Sequence, residues 1–288
     1  MAQVSQADVD YYHAGMRTVT TESSVLVSSS KYLNHGPFRE LIAQEMLRRN
    51  GPDLPNTAYI PQVAQILHDL EDIPAIIGLF EAEKARLPVF KEWFAKRELP
   101  DFKPEDVKDY APGTLGYAVH DFMVNSGYSM DHFFQGMSIN SDYEYYLKAR
   151  AMTHDLEHMV TGFETNFGGE IALLAANERS LYSYFRPELA AFMNRVGSYL
   201  KAKTHLKNGL HYPEAAKIEL DAEDIGAAQG RKWKLPLMLL PWRDLMSWQI
   251  ADIREEYGIT GAPPSGEWNW TTAVSQDPRY EEHALAAE

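Results

Sequence analysis

His154 and His158 stand four residues apart in "THDLEHMVTGFETNFGGEIALL". On a helix that spacing places the two rings about 40° apart, on one face. Asp155 lies about 100° round from His154, so all three fit a single sector. Leu147 and Ala151 continue the same stripe toward the N-terminus, which marks it as a face turned to the core. Unpaired polar groups there are costly, so the set needs partners. Gly162 ends the helix, Gly168 and Gly169 permit a tight return, and Glu170 opens the next helix, from which its carboxylate can close the set. His154, Asp155, His158 and Glu170 make a nitrogen–oxygen donor set for one divalent metal ion, zinc first and iron or manganese after it. The histidine spacing alone fits two ordinary hydrogen-bonded residues better than a metal site. The two carboxylates and the glycine-marked return bring the metal reading level with that one.

Two other chemistries use related spacings and fit less well. A zinc-protease helix carries Glu, not Asp, directly after its first histidine, because the longer carboxylate reaches the metal-bound water. No Glu is followed three residues later by His anywhere in the chain, which disfavours a di-iron helical bundle.

Nearby residues complete the candidate chemistry. Arg150 lies one turn before His154. It can take a substrate carboxylate, hold Asp155 or Glu170 in place, or make a plain surface ion pair. Tyr146 can offer a phenol hydrogen bond near the metal or pack as a core tyrosine. Arg150 and Tyr146 are the candidate catalytic residues. His120, beside Asp121, reads as a satisfied core histidine or a pocket residue, and Glu164 in the return loop reads as solvated.

The elements that must position these groups are helices. "PFRELIAQEMLRRNG" carries Pro near its start and Gly past its end, with Phe38, Leu41, Ile42 and Met46 on one face. Further helices follow in "TAYIPQVAQILHDLED", in "IPAIIGLFEAEKARLPVFKEWFAKREL" with breaks at Pro74 and Pro88, and in "TLGYAVHDFMVNSG". "PDFKPEDVKDYAPG" reads as a polar connector. One long helix is expected from Ser141, its N-cap, to Gly162, and others over "GEIALLAANERSLYSYF", "PELAAFMNRVGSYLKAKTHLKNG" and "DLMSWQIADIREEYGI". Strand-type alternation is lacking. The expectation is an all-α fold: an N-terminal arm over 1–36, a single helical domain over 37–264 and an irregular tail over 265–288.

Composition narrows the function. With 45% hydrophobic residues in 288, the chain can bury a real core. A net charge of −14 speaks against nucleic acid as a partner. There is no cysteine, so a metal must be held by His, Asp or Glu. The N-terminus is polar and acidic, unlike a secretory or transit leader, and the longest apolar run, "LPLMLLPW", is too short to span a bilayer. The chain is expected to be cytoplasmic, in peripheral contact with the inner face of the membrane. "RKWKLPLMLLPWRDLMSW" is the segment for that contact, or else it packs on the core.

The motif His-Asp-x-x-His, eleven residues, then Glu resembles the signature of the coenzyme Q protein four family of ubiquinone biosynthesis. "PGTLGYAVHDFMVNSGYSMD", "YEYYLKARAMTHD" and "GRKWKLPLMLLPWRDLMSWQIADIREEYGIT" are similar to family segments, so the resemblance covers about Pro112 to Pro264. It implies an all-helical fold with a metal-binding helix pair and an apolar groove for a prenyl chain. It also implies membrane association, other quinone-biosynthesis enzymes as partners and a homodimer. The implied activity is oxidative decarboxylation of a prenylated hydroxybenzoate, with hydroxyl replacing carboxylate and with His154, Asp155, His158 and Glu170 as ligands. The alternative is a non-catalytic prenyl-lipid scaffold for the quinone enzymes. Where the family reads Pro-Asp-x-Arg, this chain has Met130, Asp131, His132 and Phe133. That departure suits a paralogue acting on another aromatic or isoprenoid molecule.

Overall fold

The computed structural model describes residues 30–47, 60–127, 129–130 and 136–270. These form thirteen α-helices and two short 3₁₀ turns, with no strand among the described residues. Their one extended pairing is an isolated antiparallel bridge between Thr114 and Gln249. The fold is all-α, as expected.

Residues 1–29 of the arm and 271–288 of the tail lie outside the described residues. Helix begins inside the stretch read as arm, with α1 at Lys31–Asn34 and α2 at Gly36–Leu47. Then come α3 (Ile60–Asp69), α4 (Ile73–Arg86) and α5 (Pro88–Lys96). Pro74 and Pro88 sit in the first turns of α4 and α5, where a missing N–H costs nothing. The polar connector holds a short helix, α6 (Pro104–Val107). Thr114 caps α7 (Leu115–Ser126) by accepting from Tyr117 N, and left-handed Gly127 closes it.

The long helix expected from Ser141 to Gly162 is instead two: α8 (Asp142–Met152) and α9 (His154–Thr161). Ser141 caps α8 in a capping box with Glu144. The break falls at Thr153, whose hydroxyl returns to Arg150 O at 3.2 Å, a contact that bends helices. After α10 (Phe167–Tyr184) and α11 (Pro187–His211) comes α12 (Ala216–Gly230), a helix the sequence reading did not identify. Its buried residues are small or polar: Ala222, Gly226 and Gly230 at i, i+4, i+8, with Glu219 and Gln229. A Cβ on Gly226 would lie 2.1 Å from Ala172 O, and one on Gly230 2.0 Å from Ala176 O, so α10 and α12 touch backbone to backbone.

The last expected helix is also shorter, α13 at Ile250–Tyr257. The segment before it satisfies the start of α7: Leu115 N donates to Trp248 O at 3.0 Å and Gly116 N to Met246 O at 2.8 Å. "RKWKLPLMLLPWRDLMSW" is core, since Trp233, Leu237, Leu240, Trp242 and Met246 are all buried and only Trp248 is substantially exposed among its tryptophans. Of the two readings of that segment, packing holds. No helix among the described residues is long and apolar enough to cross a membrane.

Two large hydrophobic clusters flank α8 and α9. One gathers Leu156, Val160, Phe163, Ile171, Leu237 and Trp242 around α9 and α10. The other is aromatic, with Phe80, Phe90, Phe94, Tyr145, Tyr146 and Phe192. Helix α9 is therefore anchored by its apolar side, which sets where its histidines stand.

Candidate metal centre

Helix α9 carries His154 and His158, and α10 carries Glu170 in its first turn. Gly162 closes α9 at φ 77, its N–H donating to His158 O at 2.8 Å. Asn166 caps α10 by accepting from Gly169 N at 2.8 Å. Gly168 and Gly169 lie inside α10, not in a turn, and neither has positive φ. They serve close approach instead: a Cβ on Gly169 would lie 1.8 Å from Glu164 O, and one on Gly168 2.4 Å from Trp268 Cβ. The outcome for Glu170 is the one expected, by a different physical route.

His154, His158 and Glu170 each offer a ligand atom within 4.8 Å of the others. His158 Nδ1 lies 2.8 Å from Phe163 O. A carbonyl only accepts, so Nδ1 carries a proton, which in the neutral ring leaves Nε2 as an acceptor. That Nε2 is buried, has no hydrogen-bond partner and stands 3.3 Å from Glu170 Oε1. A neutral imidazole and a carboxylate so placed are two acceptors face to face, an arrangement that a metal ion or a proton can bridge. His154 Nε2 is 3.4 Å from Glu170 Oε2, and the two imidazoles meet edge to face at 4.7 Å. His158 is 5% exposed, whereas the side chains of His154 and Glu170 are 41% and 42% exposed, so the cluster is open on one side. This N,N,O set can hold a metal ion with a position left for water or substrate.

The electrostatics agree. Burial disfavours charge on His154, but hydrogen bonds with Asp155 and Glu170 outweigh it and push its pKa up to about 10. Burial likewise acts to raise the Glu170 carboxyl, yet the His154 and His158 imidazoles beside it outweigh that and hold it well below the usual carboxylate range. The N-terminus of α10 adds a favourable dipole. These are the marks of a site built around a positive charge.

The other sequence candidates lie as follows. Asp155 is not one of the three converging groups; its Oδ1 is 3.2 Å from His154 Nδ1, where it turns Nε2 toward Glu170. Arg150 pairs with neither Asp155 nor Glu170. Its Nη1 donates to Glu157 Oε1 at 2.9 Å. Tyr146 packs against Phe80 and Phe192, and its hydroxyl donates to Met193 O at 3.4 Å, so these contacts describe the core tyrosine. Burial raises its pKa. His120 is half-buried on α7. Glu164 is not simply solvated: it accepts from Ser265 Oγ, from Asn166 Nδ2 at 2.7 Å and from Gly266 N at 2.8 Å, tying down the segment that carries Trp268. Of the altered four residues, Met130 is buried in the core, while Asp131, His132 and Phe133 lie outside the described residues.

Sequence reasoning passed over Glu157 and Asn177. Glu157, fully buried, accepts from Arg150, from Thr153 Oγ1 at 3.2 Å and from Asn177 Nδ2 at 2.7 Å. One signal was available: Glu157 follows Arg150 by seven residues, two helical turns, on the same stripe.

A cavity of about 330 Å³ has Trp93, Leu99, Tyr145, Leu239 and Trp242 among its walls. Its lining carries both signs of charge, Lys96 and Arg243 with Glu92, Glu98 and Asp244, and Thr153, which directly precedes His154, forms part of its wall. No ligand of the cluster lines it.

The family model described as coenzyme Q (ubiquinone) biosynthesis protein Coq4 matches residues 98–263 of the 288. A crystal structure from Nostoc punctiforme, of a candidate ubiquinone biosynthesis protein, is similar with a TM-score of 0.52. That likeness covers 71% of this chain and 95% of that one at 23% identity, and it shows the fold alone. No curated protein matches at a significant level. The matched stretch contains His154, His158 and Glu170 and both helices that carry them, and the chain belongs to the Coq4 family of coenzyme Q (ubiquinone) biosynthesis proteins.

Proposed function

We propose that this chain acts in ubiquinone biosynthesis as a metal-dependent enzyme that replaces the ring carboxylate of a prenylated hydroxybenzoate, or a related aromatic, by hydroxyl. The observation that carries this reading is His158 Nε2, a buried ring nitrogen with no hydrogen-bond partner, 3.3 Å from Glu170 Oε1. His154, His158 and Glu170 would hold the ion, with Asp155 fixing the His154 ring. Zinc is the first choice for this donor set, with iron and manganese after it. The ion would stabilise negative charge developing on the substrate.

The chain's own residues supply orientation. Arg150 uses Nη1 on Glu157, and its side chain remains 25% exposed one turn from His154. Its other N–H groups are suited to a substrate carboxylate. The cavity behind Thr153 is of ligand size and has the aromatic walls an isoprenoid chain prefers. Exchange of carboxylate for hydroxyl releases carbon dioxide and removes two electrons from the substrate; with dioxygen as the oxidant and water supplying the hydroxyl, hydrogen peroxide is the other product. Zinc has no redox chemistry, and with zinc the oxidant must act on the electron-rich ring directly. The partners that follow are a prenylated aromatic lipid, other enzymes of the pathway, a second copy of this chain, and the inner face of the membrane as a peripheral surface.

One observation favours a second reading. None of the three ligands lines the cavity, as suits a scaffold that carries a prenyl lipid to other enzymes around a structural metal. Metal analysis combined with aerobic and anaerobic incubation on a prenylated hydroxybenzoate decides between the two. The enzyme reading expects bound metal and oxygen-dependent loss of the carboxylate. Metal-loaded protein that leaves this and related aromatics intact would support the scaffold, and metal-free protein would remove the centre altogether.

A further inference from the structure

Glu157 sits between the two histidines in sequence, and we propose that it is a positioning residue for the metal centre, acting through Asn177. This rests on the metal reading above. The Glu157 side chain is fully buried and Asn177 is 6% exposed. Both carboxylate oxygens are engaged: Oε1 by Arg150 Nη1 and Thr153 Oγ1, Oε2 by Asn177 Nδ2 at 2.7 Å. A buried carboxylate is a poor way to gain stability, since apolar residues of similar volume often serve as well or better. Its placement points to another use.

The bond from Asn177 to Glu157 joins the same two helices that carry the ligands. On α10, Asn177 follows Glu170 by seven residues, two turns, and so shares its face. On α9, Glu157 lies inside the four-residue step from His154 to His158. The seam between α9 and α10 thus has Glu170 facing the histidines at one point and a charge-assisted hydrogen bond at another. The chain link between the helices is the short Gly162–Asn166 segment, and α10 is seated backbone to backbone on α12, so side chains across the seam set how α9 rotates and slides against that pair. Any such movement changes the 3.3 Å and 3.4 Å gaps between Glu170 and the imidazoles. Metal–ligand distances tolerate shifts of only about 0.2 Å. Arg150 and Thr153 hold the carboxylate from the far side of the bend, so α8, α9 and α10 meet at one buried group.

The test is zinc affinity of the full chain by competition with a chromogenic chelator, with thermal melting of the metal-free protein beside it. N177A removes the donor, and N177D sets a second carboxylate against Glu157. The double change E157Q/N177D restores every hydrogen bond with donor and acceptor exchanged between the two helices. Each single change should weaken zinc binding about 10- to 100-fold, as loss of an orienting partner does elsewhere, with the double change recovering most of it. Isosteric N177D, with its rescue by E157Q, carries the test alone if N177A fails to fold. Single variants that bind zinc like the parent, whatever their melting temperature, would overturn the positioning role while leaving the metal centre standing. A parent protein that binds no zinc, iron or manganese would overturn both.

Discussion

Glu170 and Glu164 are six residues apart, both acidic and both near the return between α9 and α10. Their surroundings separate them. Glu170 faces two imidazoles, whereas Glu164 accepts from Ser265, Gly266 and Asn166. Glu170→Ala should therefore lower metal affinity about 100-fold or more, beyond the usual loss for an orienting partner. Glu164→Ala should keep the metal and loosen the Trp268 segment, visible as a change in tryptophan fluorescence. Equal metal retention by both variants would show the wrong glutamate was chosen. The His154 pKa of about 10 adds a pH prediction. In the metal-free protein the ring is protonated at neutral pH, and a metal takes only the neutral ring. Affinity should then rise about tenfold per pH unit between pH 6 and 8 from this group alone; a flat profile would show that His154 gives up no proton. The sign for folding runs the other way. A raised histidine stabilises the metal-free fold fully below its ordinary value of 6.5, and that stabilisation is lost as pH rises toward 10. The lowered Glu170 carboxyl contributes above its ordinary value of 4.5, so the pair helps most between the two. At this scale the convergence of His154, His158 and Glu170 was legible from helical spacing and the short return, whereas Asp155, read as a fourth ligand, stands beside His154 Nδ1 instead. Glu157 was harder to read, because its spacing from Arg150 suggests a pairing but only the tertiary neighbour Asn177 reveals the carboxylate as buried.

At the scale of elements, capping and proline signals were read well: Pro74 and Pro88 open α4 and α5, Ser141 starts α8 and Gly162 ends α9. What escaped were features set by contact between elements. Helix α12 has no apolar stripe to read because its buried face is Ala222, Gly226 and Gly230 against the α10 backbone. The bend at Thr153 comes from a hydroxyl that is also held by buried Glu157. The glycines before Glu170 were noticed for the wrong reason. Gly169→Ala tests the right one. Its Cβ would lie 1.8 Å from a backbone oxygen, which cannot swing away as a side-chain tip could. The expected cost is about 3 kcal/mol or more, read as a melting temperature lower by roughly 6–12 °C. Metal affinity should fall too, since Glu170 is the next residue. Gly78→Ala is the control, because Gly78 is on the exposed side of α4 and nothing lies within 4 Å of its Cβ; it should be neutral or stabilise by about 0.5–1 kcal/mol. Similar losses in both variants would mean that close approach is not what Gly169 provides.

Over the whole molecule, the second half of α11 is turned against the usual pattern. Leu206 and Leu210 are 51% and 60% exposed, while Lys203, Lys207 and Asn208 are buried. The inversion follows from the neighbours: Glu45 on α2 pairs with Lys203 at 3.1 Å, and Glu219 on α12 accepts from Asn208 at 2.6 Å. Sequence pattern alone would turn these leucines inward, since it does not show that the adjoining helices present acids. Two leucines at i and i+4 make one apolar strip, and the proposed membrane contact needs such a strip because charge works against it. A net −14 repels anionic headgroups. Binding should therefore depend on apolar insertion, be at least as tight on neutral phosphatidylcholine vesicles as on anionic ones, and change little with salt. Vesicle co-sedimentation reads this directly. The double variant Leu206→Gln/Leu210→Gln should lose most of the vesicle-bound fraction while its stability stays within about 0.5 kcal/mol of the parent, as for exposed positions generally. Tighter binding to anionic vesicles, abolished by salt, would contradict the argument from net charge. Undiminished binding by the double variant would place the membrane contact elsewhere on the surface.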